Sequence, residues 1–588
     1  MGAALVLALA GGGVFVLRAR AREAAKQQFL AAVRSEPPRD ALRVGEELEE
    51  GLRTGDAEVR EALQALRERV AALDRRAEAE KLLAGLSRLD DLEARLALCT
   101  QAIEKDPDYA RAYVERARVR FALARREALR DAGAGAGSPP RLSIEEPLED
   151  LGLAVSKDPN DPAIFYVRAD LRLMAGRDPD ARSEAKSDLR RVERAAPDSA
   201  LAALAAGRRK ALENQFAAAI ADYDRAIEKD PGLIDAYLAR AEARANRGDF
   251  AGALSDATLA TENDAGSARA FALRAEARAF AKNDIRGARA DIERALRLDP
   301  ALGAALALRS YVRLERDRDD FITSSDEEMQ AALRDAQQAL RLDDSLVLAH
   351  LTLAQVLHAR GRISEAISAA TKAVQVGEFT GHAGAALLCR ARLYAQDGVL
   401  DSADLDLDRV LQRDPENARA MTIKASILVE RKQFSEAKDL FEQAIERDPN
   451  LHQAYFGRGY LSLMVDPRNY TKAIEDFSQA IGLRPDYADA YFYRGVAYHD
   501  RNRFADAIED MKRALELRET KGKGLPVSYK LHDLYNVLGT CHYHRQEWAL
   551  AKRYLEEYVK LAPVGSAALT KVRTRLKECE KNLAGQKR

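Results

Sequence analysis

The chain predicts an all-α fold, a solenoid of stacked helix pairs behind an N-terminal hydrophobic segment. Three observations carry that prediction: a repeat of 34 residues, a composition of helix formers and surface charges, and regularly placed Asp-Pro stops. Ala, Leu, Arg, Glu and Asp dominate, and the Val-, Ile- and Thr-rich runs that would build strands are nearly absent. A chain of 588 residues exceeds what one hydrophobic core supports, roughly 250–300 residues. A repeat array escapes that limit because each unit packs on its neighbours.

The first element is the stretch MGAALVLALAGGGVFVL, which has no charged side chain and is followed by Arg18, Arg20 and Arg22. A helix of that length barely spans a hydrocarbon core of about 30 Å. Residues 1–22 are therefore expected to be a membrane anchor with a basic flank, which would keep the repeats in the cytoplasm. The alternative is a cleaved signal ending at Ala8-Leu9-Ala10, with a periplasmic or secreted chain. Residues 23–92 read as two or more helices, broken by SEPPRD at 35–40 and RTGD at 53–56. A degenerate repeat and a coiled-coil segment are both open there.

The array is expected over residues 93–566. The 34-residue step joins Tyr237 to Phe271, Arg240 to Arg274, Pro197 to Pro231 and Pro415 to Pro449. Each unit holds two amphipathic helical patterns, and first helices should begin near residues 110, 162, 200, 234, 268, 303, 347, 383, 418, 452, 488 and 530. Second helices often end in Asp-Pro, at Asp106, Asp158, Asp230, Asp299, Asp414 and Asp448; proline lacks the N–H that would continue the helix. Gly-, Ser-, Pro- and Asp-rich stretches predict loops at 131–143 and 316–328, and a link at 518–529. Residues 567–588 read as one amphipathic helix capping the open end.

An arginine on the first helix and an aspartate on the second recur together. The pairs are Arg116 with Asp150, Arg168 with Asp188, Arg240 with Asp256, Arg274 with Asp291, Arg309 with Asp335, Arg390 with Asp406, Arg458 with Asp476, and Arg494 with Asp510. Three units lack both partners, with Leu353 and Ala369, Lys424 and Leu440, and Leu538 and Tyr554; one is discordant, with Ala206 opposite Asp222. Losing one member of a buried ion pair costs about 3–5 kcal/mol, whereas replacing both can be neutral, so a structural pair should come and go as a unit. These residues are expected to be structural clasps, and no catalytic residue is assigned.

Other chemistry finds little support. With 93 basic and 94 acidic residues, charge does not recommend nucleic acid. The four cysteines stand far apart, and Cys541, His542 and His544 point in different directions on a helix, so neither metal nor cofactor is expected. The Gly-Lys-Gly at 522–524 lacks phosphate-loop spacing, and nucleophile-elbow, zinc-protease, Walker and kinase signatures are missing.

In the last units Tyr491, Gly495, Tyr498, Phe504, Ala507, Met511 and Ala514 stand at the spacing of a known motif, and with the 34-residue period the chain resembles the tetratricopeptide repeat family, with about twelve repeats. That resemblance implies a right-handed superhelix whose concave face, lined mainly by first helices, binds protein or peptide partners without catalysis. It places Phe456, Tyr460, Phe492, Val496, Asn536 and Tyr543 in the partner groove, with the polar Asp235, Glu242, Arg269 and Glu276 at the equivalent positions upstream. The Lys and Asn pattern that clamps chaperone C-termini is missing. A span followed by such repeats also resembles bacterial membrane-anchored members and the distal half of some receptor-like Ser/Thr kinases, so a piece of a larger signalling protein is an alternative, as is a periplasmic assembly factor.

Overall fold

The computed structural model describes residues 13–586 apart from 36, 53–56, 87–88, 90, 134–142, 175–178, 315–323, 466–469, 522–528 and 564–566. The described residues form 29 helices and no strand. They divide into two compact units, Met1–Arg209 and Lys210–Arg588.

The first unit begins with α1 (Gly13–Ser35), α2 (Pro38–Leu52), α3 (Ala57–Leu83) and α4 (Leu92–Lys105). Pro38 opens α2, where its missing N–H costs nothing, so SEPPRD breaks the chain by starting a helix. Phe29, Ala41, Val59, Leu63 and Leu66 bury the contact among α1, α2 and α3. Helix pairs follow: α5 (Ala110–Gly133) with α6 (Glu145–Lys157), and α7 (Pro162–Met174) with α8 (Pro179–Ala195); the division into units falls within α9 (Ala200–Leu212).

The second unit continues with α10 (Phe216–Lys229), then the pairs α11 (Ile234–Asn246) and α12 (Phe250–Asn263), α13 (Ala268–Lys282) and α14 (Ile285–Leu298), and α15 (Gly303–Arg313) and α16 (Asp326–Leu342). Next come α17 (Val347–Ala359) and α18 (Ile363–Gly377), α19 (Ala383–Gln396) and α20 (Leu400–Arg413), and α21 (Ala418–Glu430) and α22 (Phe434–Arg447). The chain closes with α23 (His452–Val465) and α24 (Tyr470–Leu483), α25 (Ala488–Asp500) and α26 (Phe504–Lys521), α27 (Leu531–His544) and α28 (Trp548–Leu561), and finally α29 (Ala567–Gln586). Each first helix begins within one residue of the register read from the sequence. Helices meet through small residues that allow close approach, as Ala241, Ala253, Ala257 and Ala277 do between neighbouring repeats.

The Asp-Pro stops work through the aspartate as well as the proline. Asp106, Asp158, Asp230, Asp299, Asp414 and Asp448 each cap a second helix in a non-helical conformation. Each accepts, through Oδ1, a bond of 2.9–3.3 Å from the backbone N–H two residues on. The turn is thus satisfied before the next repeat starts.

Some expectations need amendment. Asp131–Gly133 still belong to α5, and α16 already starts at Asp326, held by a capping box of Ser325 with Glu328; residues 134–142 and 315–323 lie outside the described set. The link after α26 is shorter than expected, because the helix runs to Lys521. Residues 1–12 of the expected anchor lie outside the described residues, while Gly13–Leu17 belong to α1 together with Arg18, Arg20 and Arg22. Among the described residues no helix is long and apolar enough to cross a membrane.

Candidate partner groove

All eight arginine–aspartate pairs meet within their own repeat. Nη2 donates to Oδ1 at 2.6–2.8 Å in every one. Nε donates to Oδ2 at 2.7–3.0 Å, which makes each pair bidentate. The aspartates are buried, and several guanidinium groups lie over the aromatic ring three residues earlier, as Arg494 does over Tyr491. Burial pushes the Asp510 carboxyl up while the bonds from Arg494 pull it down; Arg494, despite its own burial, holds its proton more tightly than a free guanidinium. Burial thus works against the charge on both members; for Asp510 it outweighs the bonds from Arg494 and leaves the carboxyl above its ordinary range.

Five of these aspartates have a second arginine one helical turn on: Arg120 for Asp150, Arg172 for Asp188, Arg244 for Asp256, Arg278 for Asp291 and Arg313 for Asp335. The same position resolves the discordant repeat, because Lys210 reaches Asp222 at 2.6 Å in place of the missing arginine. Some clasps also staple neighbouring repeats. Arg240 donates to Asp224 on α10 at 2.6 Å and Arg494 to Ser478 on α24 at 3.0 Å; Lys424, in a repeat without a clasp, likewise reaches back to Asp404 and Asp408 on α20. With both carboxylate oxygens bound in all eight pairs, the clasps hold the two helices of each of these repeats together.

Aromatic side chains gather on the first-helix side of α19, α21, α23 and α25, where a cavity of about 580 Å³ opens. Leu388, Ile423, Phe456, Tyr460, Tyr487 and Tyr493 supply its apolar wall, and Arg392, Arg419 and Glu430 its charges. The rings support one another: Phe456 lies tilted 5.0 Å from Tyr487, and Tyr493 meets Phe456 at 5.7 Å and Tyr460 at 5.1 Å edge to face. Phe441 of α22 forms the floor. It fits because residue 457 is glycine; a Cβ there would stand 2.3 Å from the Phe441 ring.

Two family models of the tetratricopeptide repeat match the chain, over residues 394–456 and 465–521, which include Ile423, Phe456, Tyr487 and Tyr493 of this cavity. Over those residues the chain carries tetratricopeptide repeats. Among solved structures it is similar to a tetratricopeptide repeat protein from Parabacteroides merdae ATCC 43184, at 19% identity and a TM-score of 0.30, over 43% of this chain and 93% of that one. It is also similar to pilF from Pseudomonas aeruginosa, at 16% identity and a TM-score of 0.33, over 39% and 98% of the two chains. A third is MamA, at 24% and 0.24, over 29% and 97%. No curated protein matches the chain.

Of the six groove residues expected from the tetratricopeptide register, Phe456 and Tyr460 line the cavity. Phe492, their equivalent one repeat on, is instead buried: its ring stacks on Tyr529 at 4.3 Å, with the planes 7° apart. Tyr529 comes from the link between α26 and α27 and is pinned there by its hydroxyl, which donates to the Ala514 carbonyl at 2.9 Å. Burial, with the nearby Asp489 charge, pushes that phenol up to about 12. Val496 packs against the same core cluster. Asn536 is half-buried, and Tyr543 donates to Glu578 on α29, with Arg575 over its ring. These four therefore lie outside the cavity, two of them because elements beyond the repeat cover them.

Tyr487 and Tyr493 were missed. Tyr487 precedes its helix and Tyr493 follows Phe492 in the chain, so neither stands among the six groove residues expected. The polar wall upstream satisfies itself: Arg269 binds Glu242 at 2.6 Å across α13 and α11, and Leu238 and Ala272 are buried. At the far end the histidine cluster diverges. Cys541 faces the core, His542 bonds to Glu547 and stacks on Tyr554, and His544 stacks on Phe504.

Proposed function

We propose that this chain is a non-catalytic scaffold that binds a segment of a partner protein in the aromatic cavity between α19 and α25. The observation that carries this reading is the cavity itself. Its volume lies within the range of about 300–1,000 Å³ typical of ligand sites, and rings held rigid by one another lose little entropy on binding. A mostly apolar wall with two arginines and one glutamate favours a segment with bulky apolar anchors and a flanking acidic residue.

Selection of random peptides on the immobilised full-length chain tests this. Enriched peptides should carry large apolar residues, and their affinity should fall at least about tenfold, or 1.4 kcal/mol, in Phe456→Ala. Peptides that bind Phe456→Ala and Tyr493→Ala as well as the parent would remove the cavity from the account.

A further inference from the structure

In a solenoid each repeat touches its neighbours, and within the second unit substantial helix contacts join adjacent or next-but-one helices. Among the described residues a small contact departs from this. α18 ends at Gly377 without an Asp-Pro stop, and residues 378–382 join it to α19. The intervening residues turn inward and reach repeats far upstream. His382 Nε2 lies 2.8 Å from Glu276 Oε1 on α13, and its ring sits 4.7 Å from Phe280 and 5.7 Å from Phe250. Gly381 meets the end of α11 so closely that a Cβ would stand 2.1 Å from the Ala245 carbonyl oxygen. The turn is braced internally, since Thr380 Oγ1 donates to the Gly377 carbonyl at 2.9 Å and Arg413 to the Glu378 carbonyl at 2.9 Å.

We propose that residues 378–382 are a latch that fastens the repeats of α11–α14 to that of α19, so the groove between them opens by releasing this one contact. Three features fit a latch better than ordinary packing. The contact spans 106 residues from Glu276 to His382, it is made by one short turn, and it accepts no side chain at Gly381. It also borders a second cavity of about 1,100 Å³, to whose wall Thr380 and Gly381 contribute. α19 carries the latch at its start and Leu388 and Cys389 of the aromatic cavity further along, so release of the latch moves one wall of that cavity. The proposal concerns the geometry of this chain alone and does not depend on a partner binding there.

Pulsed electron spin resonance on the full chain tests it, with labels at Arg247→Cys, beyond α11, and Gln412→Cys, at the end of α20. Both positions are exposed, and the four native cysteines are buried. The parent should give one narrow distance distribution. His382→Ala, and independently Gly381→Val, should lengthen and broaden it while helical circular dichroism is unchanged, and Glu276→Gln, which keeps an acceptor, should leave it near the parent's. Should His382→Ala fold poorly, Glu276→Ala removes only a partly exposed carboxylate and should widen the distribution likewise. A parent distribution that is already broad, or variants that match a narrow one, overturns the latch.

Discussion

Changing Arg458 to leucine should destabilise its repeat more than the same change at Arg240, although the two residues hold equivalent places. Arg458 donates to both oxygens of Asp476, at 3.0 and 2.7 Å, and its proton is held above the ordinary range by that bond, against the pull of burial. The position one turn on is Ser462, so among the described residues Asp476 has no second cation. Its carboxylate is nearly buried, with 5% of the side chain exposed, and stranding it should cost about 3–5 kcal/mol. At Asp256, Arg244 Nη1 remains at 2.8 Å after Arg240 is removed, and one charge-assisted bond is worth about 1.5–3 kcal/mol. The loss at Arg240 should therefore be smaller by about that amount, with the half-exposed Asp224 adding little. Urea unfolding of the full chain, with hydrogen exchange followed separately in α23–α24 and α11–α12, measures both. The double variant Arg458→Leu, Asp476→Tyr copies the Leu538 and Tyr554 of the last repeat and should recover much of the loss. Equal losses at the two arginines, or a double variant less stable than Arg458→Leu alone, would refute the reasoning.

Three further outcomes follow from the same geometry. Phe492→Ala should behave as a core truncation, costing about 3–5 kcal/mol in urea unfolding, whereas Phe456→Ala should cost clearly less and act on peptide affinity. Burial raises the thiols of Cys99 to about 11 and Cys541 to about 12, so neither should react with a thiol reagent at pH 8 until the chain is unfolded. Burial lowers His350 and His358 from their ordinary value near 6.5, which keeps them neutral in the folded chain while the unfolded chain takes up protons. Stability should then decline as pH falls below about 6.5, and His350→Gln, which keeps a donor for the Asp344 carbonyl, should flatten the decline in urea midpoints.

Periodicity carried most of the scaffold into view, since period and proline placement are local and repeat many times. The clasps were legible for the same reason, and a closer look at the position one turn on would have shown Arg120, Arg172, Arg244, Arg278 and Arg313, and Lys210 in the discordant unit. What periodicity could not supply is where a repeat is overlaid by something outside it. Phe456 and Phe492 share a register position, yet one lines a cavity and the other is covered by Tyr529 from an irregular link. Tyr543 is likewise engaged by α29. His382 finds Glu276 across 106 residues, a contact that no local period records.

Site-directed photocross-linking examines most directly whether the cavity between α19 and α25 takes a partner segment. A photoreactive amino acid at Ile423, on the cavity wall, should label a selected peptide on the full-length chain, and an excess of unlabelled peptide should abolish the labelling. The same group at Leu405, an exposed side chain outside the cavity lining, should give none. Labelling at Leu405 equal to that at Ile423, or none at Ile423 with a peptide that still binds, would contradict the account.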